Sequence, residues 1–159
     1  MKNKEQQESL LLMNLTKLLP YNLICHVEND ENLYVLHGLV CEDMEWYAEL
    51  WSYGISNKVI ERANIKKIKP YLQPIDKLSE YEKDMFVQLQ NNVIYNNSKT
   101  GIEFACDWLE WCYYHQIDIH NLILQGLALD GTELSENIFR YLNNPNMDLI
   151  NIYLNNKSR

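Results

Sequence analysis

The sequence predicts an α+β domain: an N-terminal helix, a small antiparallel sheet over about 21–62, and then a C-terminal set of helices. Three observations carry this reading. Leucines recur at helical spacing in "ESLLLMNLTKLLP". The stretch after it alternates apolar with polar residues around turn-forming runs. Beyond residue 78 the periodicity becomes helical, opened by Ser79-x-x-Glu82 and Thr100-x-x-Glu103, the spacing in which side chain and backbone cap each other. A chain of 159 residues suits a single domain, residues 1–159, with a sheet-rich part over about 20–75 and a helical part over about 79–156.

Leu11, Leu15 and Leu18 form the stripe of the first helix, widened by Leu12 and Leu19. Pro20 stops it, because the residue before a proline is pushed out of the helical region. "YNLICHVENDENLYVLHGLVCED" reads as two strands, about 21–28 and 32–41, joined as a hairpin through "ENDEN". "EWYAELWSYG" supplies a third strand ended by Gly54, and "NKVIERANI" a short fourth. The prolines of "IKKIKPYLQPID" suit a short helical turn and an extended crossing. The first capping box opens a helix to about Asn91, and the second opens the helix that runs through Trp108 and Trp111. "IDIHNLILQGLALDG" reads as a short helix stopped by Gly126. Thr132 or Ser135 then starts "ENIFRYLNN", and Asn144 followed by Pro145 opens a last helix.

Apolar residues make up 47% of the chain and charged residues 23%, a soluble globular balance. No run approaches the roughly 20 apolar residues that span a bilayer. The start, "MKNKEQQESLLLMNL", has no small-residue cleavage pattern and reads as an amphipathic helix, so the expected location is cytoplasmic. In a reducing cytosol Cys25, Cys41, Cys106 and Cys112 are expected as free, partly buried thiols.

The net charge of −8 opposes direct nucleic-acid binding as the main activity. Its distribution is uneven. Between Leu18 and Asn57 stand seven acids (Glu28, Asp30, Glu31, Glu42, Asp43, Glu45, Glu49) and no Lys or Arg. Lys58, Arg62, Lys66, Lys67 and Lys69 then follow against the single acid Glu61. The plain reading is two solvated faces that neutralise each other across the fold. The sharper one is an acidic surface, including Glu42, Asp43 and Glu45, that binds a basic protein or imitates a nucleic-acid backbone.

The stretch "CDWLEWCYYHQIDIH" (106–120) holds two of the four cysteines and two of the four histidines, which raises the question of a metal. On a helical wheel Ile102, Ala105, Cys106, Leu109, Cys112 and Tyr113 fall within an arc of about 120°, an ordinary core-facing stripe. The two cysteines lie at its edges, at i and i+6, whereas one metal held from one helix needs i, i+3 or i+4. Cys112 and His115 meet that spacing, but a full site needs further ligands from His120 or from Cys25, His26, His37 and Cys41. The stretch is therefore read as a packing helix, with no metal and no cofactor.

The same wheel shows a second stripe, Phe104, Trp108, Trp111 and His115, and a narrow acidic third of Glu103, Asp107, Glu110 and Tyr114. A helix apolar on two sides is sandwiched between layers. The second stripe thus meets either another helix or, as an exposed aromatic ridge, a partner chain.

The chain contains no Gly-x-Gly-x-x-Gly, no Gly-Lys-Ser/Thr, no Gly-x-Ser-x-Gly and no His-Glu-x-x-His. Cys112 sits on an apolar stripe beside acids, the opposite of the electropositive setting that activates a thiol. The reading is non-enzymatic.

Three stretches, "LPYNL" at 19–23, "KPYLQPIDKL" at 69–78 and "QIDIHNLILQGLALD" at 116–130, follow one another in a distinctive order. Together they resemble a family of small uncharacterised phage and prophage proteins from intestinal anaerobic bacteria. Its pattern is Leu-Pro-Tyr-Gly-Leu, then Pro-x-Leu-Arg-Pro-Leu-x-Asp-Leu, then His-Phe-Asp followed by Gly-Leu-Ile-x-x-Gly-Leu-Ala. Asn22 stands here for the glycine, Gln73 for the arginine, and Gln116-Ile117 for His-Phe. The resemblance covers roughly residues 10–130 and implies a phage-related origin in a bacterial cytoplasm, with no catalytic residues to carry over. The expected function is that of a non-enzymatic accessory protein acting by protein–protein interaction. In its sharpest form it inhibits a host nucleic-acid-binding or defence protein; the alternative is a self-assembling structural or virion-associated component.

Overall fold

The computed structural model describes residues 3–30, 32–52, 60–95 and 100–134. Helix α1 spans Lys4–Leu18 and continues as a 3-10 turn, Leu19–Tyr21, so Pro20 is not the stop expected of it. Leu19 stays in the right-handed helical region, Pro20 takes an early position of the turn where its missing N–H is no loss, and Asn22 at φ +53° ends it. The start of α1 is fixed by a capping box: Asn3 Oδ1 accepts from the Gln6 N–H at 2.8 Å, and Gln6 Oε1 accepts from the Asn3 N–H at 3.2 Å. The chain then forms β1 (Ile24–Val27), β2 (Leu33–Glu42), β3 (Glu45–Ser52) and β4 (Ile60–Asn64). A 3-10 turn, Ile65–Lys67, leads into β5 (Ile68–Leu72). Helices α2 (Glu80–Tyr95) and α3 (Thr100–Tyr114) follow, and a two-residue strand β6 (Leu129–Asp130) is the last strand among the described residues.

The α+β class holds, but the sheet is mixed and larger than the antiparallel one expected over 21–62. Six strands lie in the order β4-β3-β2-β1-β5-β6, with the final pair parallel. The difference comes from β5. Its proline argued for a crossing, yet Pro70 pairs with Cys25, and β6 begins only opposite Tyr71. Among the described residues Pro70 therefore has a paired strand residue on one side only, a position where a proline is tolerated in a sheet.

Leu11, Leu15 and Leu18 bury the α1 stripe against the sheet face formed by Cys25, Tyr34, Leu36, Ala48, Leu50 and Ile68. Leu15 and Leu50 are fully enclosed, each side chain contributing about 1.5–3 kcal/mol. Leu122 and Ala128 complete this cluster from the segment after α3. A second, smaller cluster joins Leu78, Cys112 and Ile117 to Phe86, Trp108, Trp111 and Ile119.

The short helix expected in 117–131 is only a chain of turns. Asp118 ties its carboxylate to the N–H groups of Leu122 at 2.7 Å and Ile123 at 2.9 Å, and Asn121, between Asp118 and Leu122, takes a left-handed φ of +55°, which a regular helix does not accommodate. Gly126 ends these turns as foreseen, at φ +72°, where a side chain would be strained. Its N–H reaches Ile123 O at 3.0 Å while the Leu127 N–H reaches Leu122 O at 2.9 Å, the paired bonds of a Schellman stop. Thr132 lies inside a 3-10 turn, Gly131–Glu133, capped by Asp130. The helices expected from Ser135 and Asn144 lie outside the described residues.

Candidate functional site

The aromatic stripe of α3 is a helix–helix seam. Helix α2 starts at the foreseen box: the Ser79 N–H and Oγ donate to Glu82 Oε2 at 2.8 and 2.7 Å, and the Glu82 N–H donates to Ser79 Oγ at 3.3 Å. One turn further along α2, Phe86 packs on Trp108 at 5.6 Å and Trp111 at 6.4 Å between ring centroids. His115 lies against Trp111 at 4.5 Å, and its Nδ1 faces Glu82 Oε1 at 3.9 Å, too far for a hydrogen bond. Burial holds the His115 imidazole below its ordinary value, and the Glu82 carboxylate offsets only part of this. Among the described residues, Trp108 Nε1 and His115 Nδ1 are buried without a hydrogen-bond partner. Phe104 falls within α3, but its side chain lies outside the described part.

The other face of α3 meets the main cluster through Tyr113, and Tyr114 packs edge-on against Tyr21. Both sides of α3 are covered, but not by the stripes as expected: Cys112 joins the Trp108 and Trp111 side, Cys106 is exposed, and Tyr114 of the acidic stripe makes the contact with Tyr21. Cys112 is enclosed and its thiol is pushed up to about 12 by burial, which leaves it protonated at neutral pH. Cys25 is also buried, whereas Cys41 and Cys106 are exposed, so the expected partial burial is divided two and two. Among the described residues no group of three or more His, Cys, Asp or Glu could hold a metal.

A polar junction lies where β5 ends. The Gln73 N–H donates to Gln116 O at 2.9 Å, and the Asp118 N–H donates to Gln73 O at 3.0 Å. Gln116, 1% exposed and at φ +53°, sends its Nε2 to Tyr21 O at 2.7 Å. These bonds join the end of α1, the end of β5 and the exit of α3.

The β2–β3 hairpin is organised differently. Asp43 and Met44 both take positive φ, +50° and +65°, and form its two-residue turn. That turn sets Glu42 directly opposite Glu45, a like-charge pair that repels. The basic run supplies the remedy. Arg62 of β4 reaches Glu42 Oε1 at 2.6 Å with one terminal nitrogen and Glu49 Oε1 at 2.9 Å with the other. Glu45 accepts from Tyr47 Oη at 3.1 Å and Asn64 Nδ2 at 3.2 Å. Lys66 stands 3.8 Å from Glu45 and 3.4 Å from Glu8, tying the arm back to α1. Arg62 and Lys66 of the basic run therefore meet Glu42, Glu45 and Glu49 of the acidic run across β3 and β4.

A bulge between Leu36 and Gly38 bends β2 at the base of this arm. A Cβ at Gly38 would lie 3.0 Å from Glu49 Oε2, so glycine there gives Glu49 room to meet Arg62. Nearer the core, Tyr34 Oη donates between Asp30 Oδ2 at 2.6 Å and Glu61 Oε2 at 3.0 Å, engaging two more acids internally.

At the tip, Met44 is 95% exposed, and Asp43 beside it is exposed with no polar partner among the described residues. Of the sequence-chosen acids, Glu42 and Glu45 are thus occupied within the fold and Asp43 is free. Met44 was not among the residues chosen from the sequence. Its signal lies in the turn: a two-residue hairpin "EDME" places methionine where glycine is the usual occupant. No protein-family model, curated protein or solved structure matches this chain.

Proposed function

We propose that this protein is a non-enzymatic accessory protein of phage or prophage origin, acting in the bacterial cytoplasm by protein–protein contact, with the tip of the β2–β3 hairpin as its contact surface. One observation carries the reading: Met44 is 95% exposed in a left-handed conformation. A left-handed backbone costs a non-glycine residue about 1–2 kcal/mol. Strain held at an exposed tip is a signature of function, and here the bracing by Arg62, Asn64 and Lys66 maintains it. A held loop loses less entropy on binding than a free one.

The aromatic stripe is the weaker candidate, since α2 already covers Trp108 and Trp111 through Phe86. The phage origin rests on the resemblance of three stretches, and it gains physical sense from Asn22, whose φ of +53° suits the glycine of that pattern as well as asparagine. No described helix is long and apolar enough to cross a membrane. The test is paired capture from host lysate with wild-type and Met44→Gly protein. Loss of one specific protein with the variant is the expected result, and identical recovery removes the tip from consideration.

Self-assembly is the second reading. Strand β4 has a strand neighbour on one side only among the described residues, leaving an edge able to pair with another copy. Sedimentation over a wide concentration range decides it: a monomer throughout excludes this reading.

A further inference from the structure

Resting on the hairpin reading just given, we infer that the partner receives the tip in an apolar pocket bordered by a cationic side chain. Two independent features of the tip point to this chemistry. The first is shape and polarity. Met44 projects an unbranched, polarizable thioether clear of the fold, and such a side chain fills irregular apolar pockets well. The second is how charge is sorted along the arm. The arm has four carboxylates (Glu42, Asp43, Glu45, Glu49) and two cations, Arg62 and Lys66, which bridge to Glu42, Glu45 and Glu49. It therefore carries residual negative charge, and Asp43, the carboxylate without a partner among the described residues, adjoins the methionine.

A purely apolar pocket would leave Asp43 desolvated without a partner at the rim, which disfavours binding. A purely basic surface would find Glu42, Glu45 and Glu49 already occupied and would gain nothing from Met44. Only the combination uses both residues. The same asymmetry separates this tip from a phosphate mimic, which needs several free acids in series, and from a nucleic-acid ligand, which the residual charge repels.

The test places the photo-cross-linking residue p-benzoylphenylalanine at position 44, with a control copy carrying it at Leu124, an equally exposed site (89%) elsewhere on the fold. Both are irradiated in host lysate, and the joined peptides are sequenced. The expected result is a cross-link from position 44 alone, into apolar residues of another protein with Lys or Arg beside them. With that partner purified, removing the side chain by Met44→Gly weakens binding roughly 10- to 100-fold. Met44→Leu retains affinity, and Asp43→Asn costs about threefold to tenfold and flattens the salt dependence of association.

A cross-link into a polar or acidic surface overturns the pocket chemistry but leaves protein contact standing. A cross-link into a second copy of this chain, or into nucleic acid, overturns the inference and the partner with it. Cross-links from position 124 but none from 44 overturn the hairpin reading itself.

Discussion

Replacing Met44 with glycine should make this protein more stable, and the reason can be worked from the turn. Met44 is 95% exposed, so its removal forfeits almost no buried apolar surface. Its φ of +65° carries the left-handed penalty of about 1–2 kcal/mol, which glycine does not incur. Against that gain stands the greater freedom of glycine in the unfolded chain, about 0.4–1 kcal/mol. The balance is a stabilisation of about 0.5–1 kcal/mol, and for a chain of 159 residues each kcal/mol moves the midpoint by about 2–4 °C. Thermal melts of the two proteins in one buffer measure it. A residue kept only for folding would show the reverse, so a lower midpoint for Met44→Gly refutes both its exposure and its role as a displayed side chain. A raised midpoint joined to lost partner binding is the combination a functional outlier must give.

The other predictions concern the seam and the junction. Because burial depresses the His115 imidazole, the unfolded chain takes up its proton first, so the contribution of His115 is complete above the ordinary histidine range and is lost as pH falls through it. Urea midpoints between about pH 5 and 8 should therefore fall more steeply on acidification in wild type than in His115→Gln; parallel curves would remove His115 as the cause. Asp118→Ala frees the amides of Leu122 and Ile123, and at about 1.5–3 kcal/mol per charged hydrogen bond it should cost about 3 kcal/mol in urea unfolding, with Asp118→Asn recovering part. Trp111→Ala should cost about 2 kcal/mol, less than a full core deletion because the ring is half-buried, and it should not weaken partner binding once the variant is folded. Lost binding by a folded Trp111→Ala protein would return the aromatic stripe to candidacy.

What could be read from the sequence is what local chemistry decides. The Ser79–Glu82 box and Gly126 act within a few residues of themselves, and each begins or ends an element where its chemistry demands. Pro20 does not stop the first helix as its type suggests: Leu19 keeps right-handed helical angles, and the chain turns away only at Asn22, at φ +53°. The pairing of β5 with β6 was not legible, because it joins Tyr71 to Leu129 across two helices and no short pattern records such a partner. The wheel of α3 gave two buried faces but could not name what covers the second. That information belongs to Phe86, on another helix. The hairpin arm shows the same limit for charge. Glu42, Asp43 and Glu45 are equivalent acids in sequence, and only the arrival of Arg62 and Lys66 from the next strand and turn distinguishes the engaged pair from the free one.

The three stretches that carry the phage-family resemblance share one property in the fold. Tyr21 accepts from Gln116, Gln73 exchanges backbone bonds with Gln116 and Asp118, and Tyr71 pairs with Leu129, so residues far apart in sequence make a single junction. A shared pattern of that kind specifies how chain segments close on one another. It need not specify what the protein touches. The braced arm lies in the interval between the first and second stretches, outside all three, and its tip contributes nothing to the junction. The residues that close the fold and the residues of the exposed tip are thus different: Tyr21, Gln73, Gln116 and Asp118 make the junction, and Asp43 and Met44 make the turn.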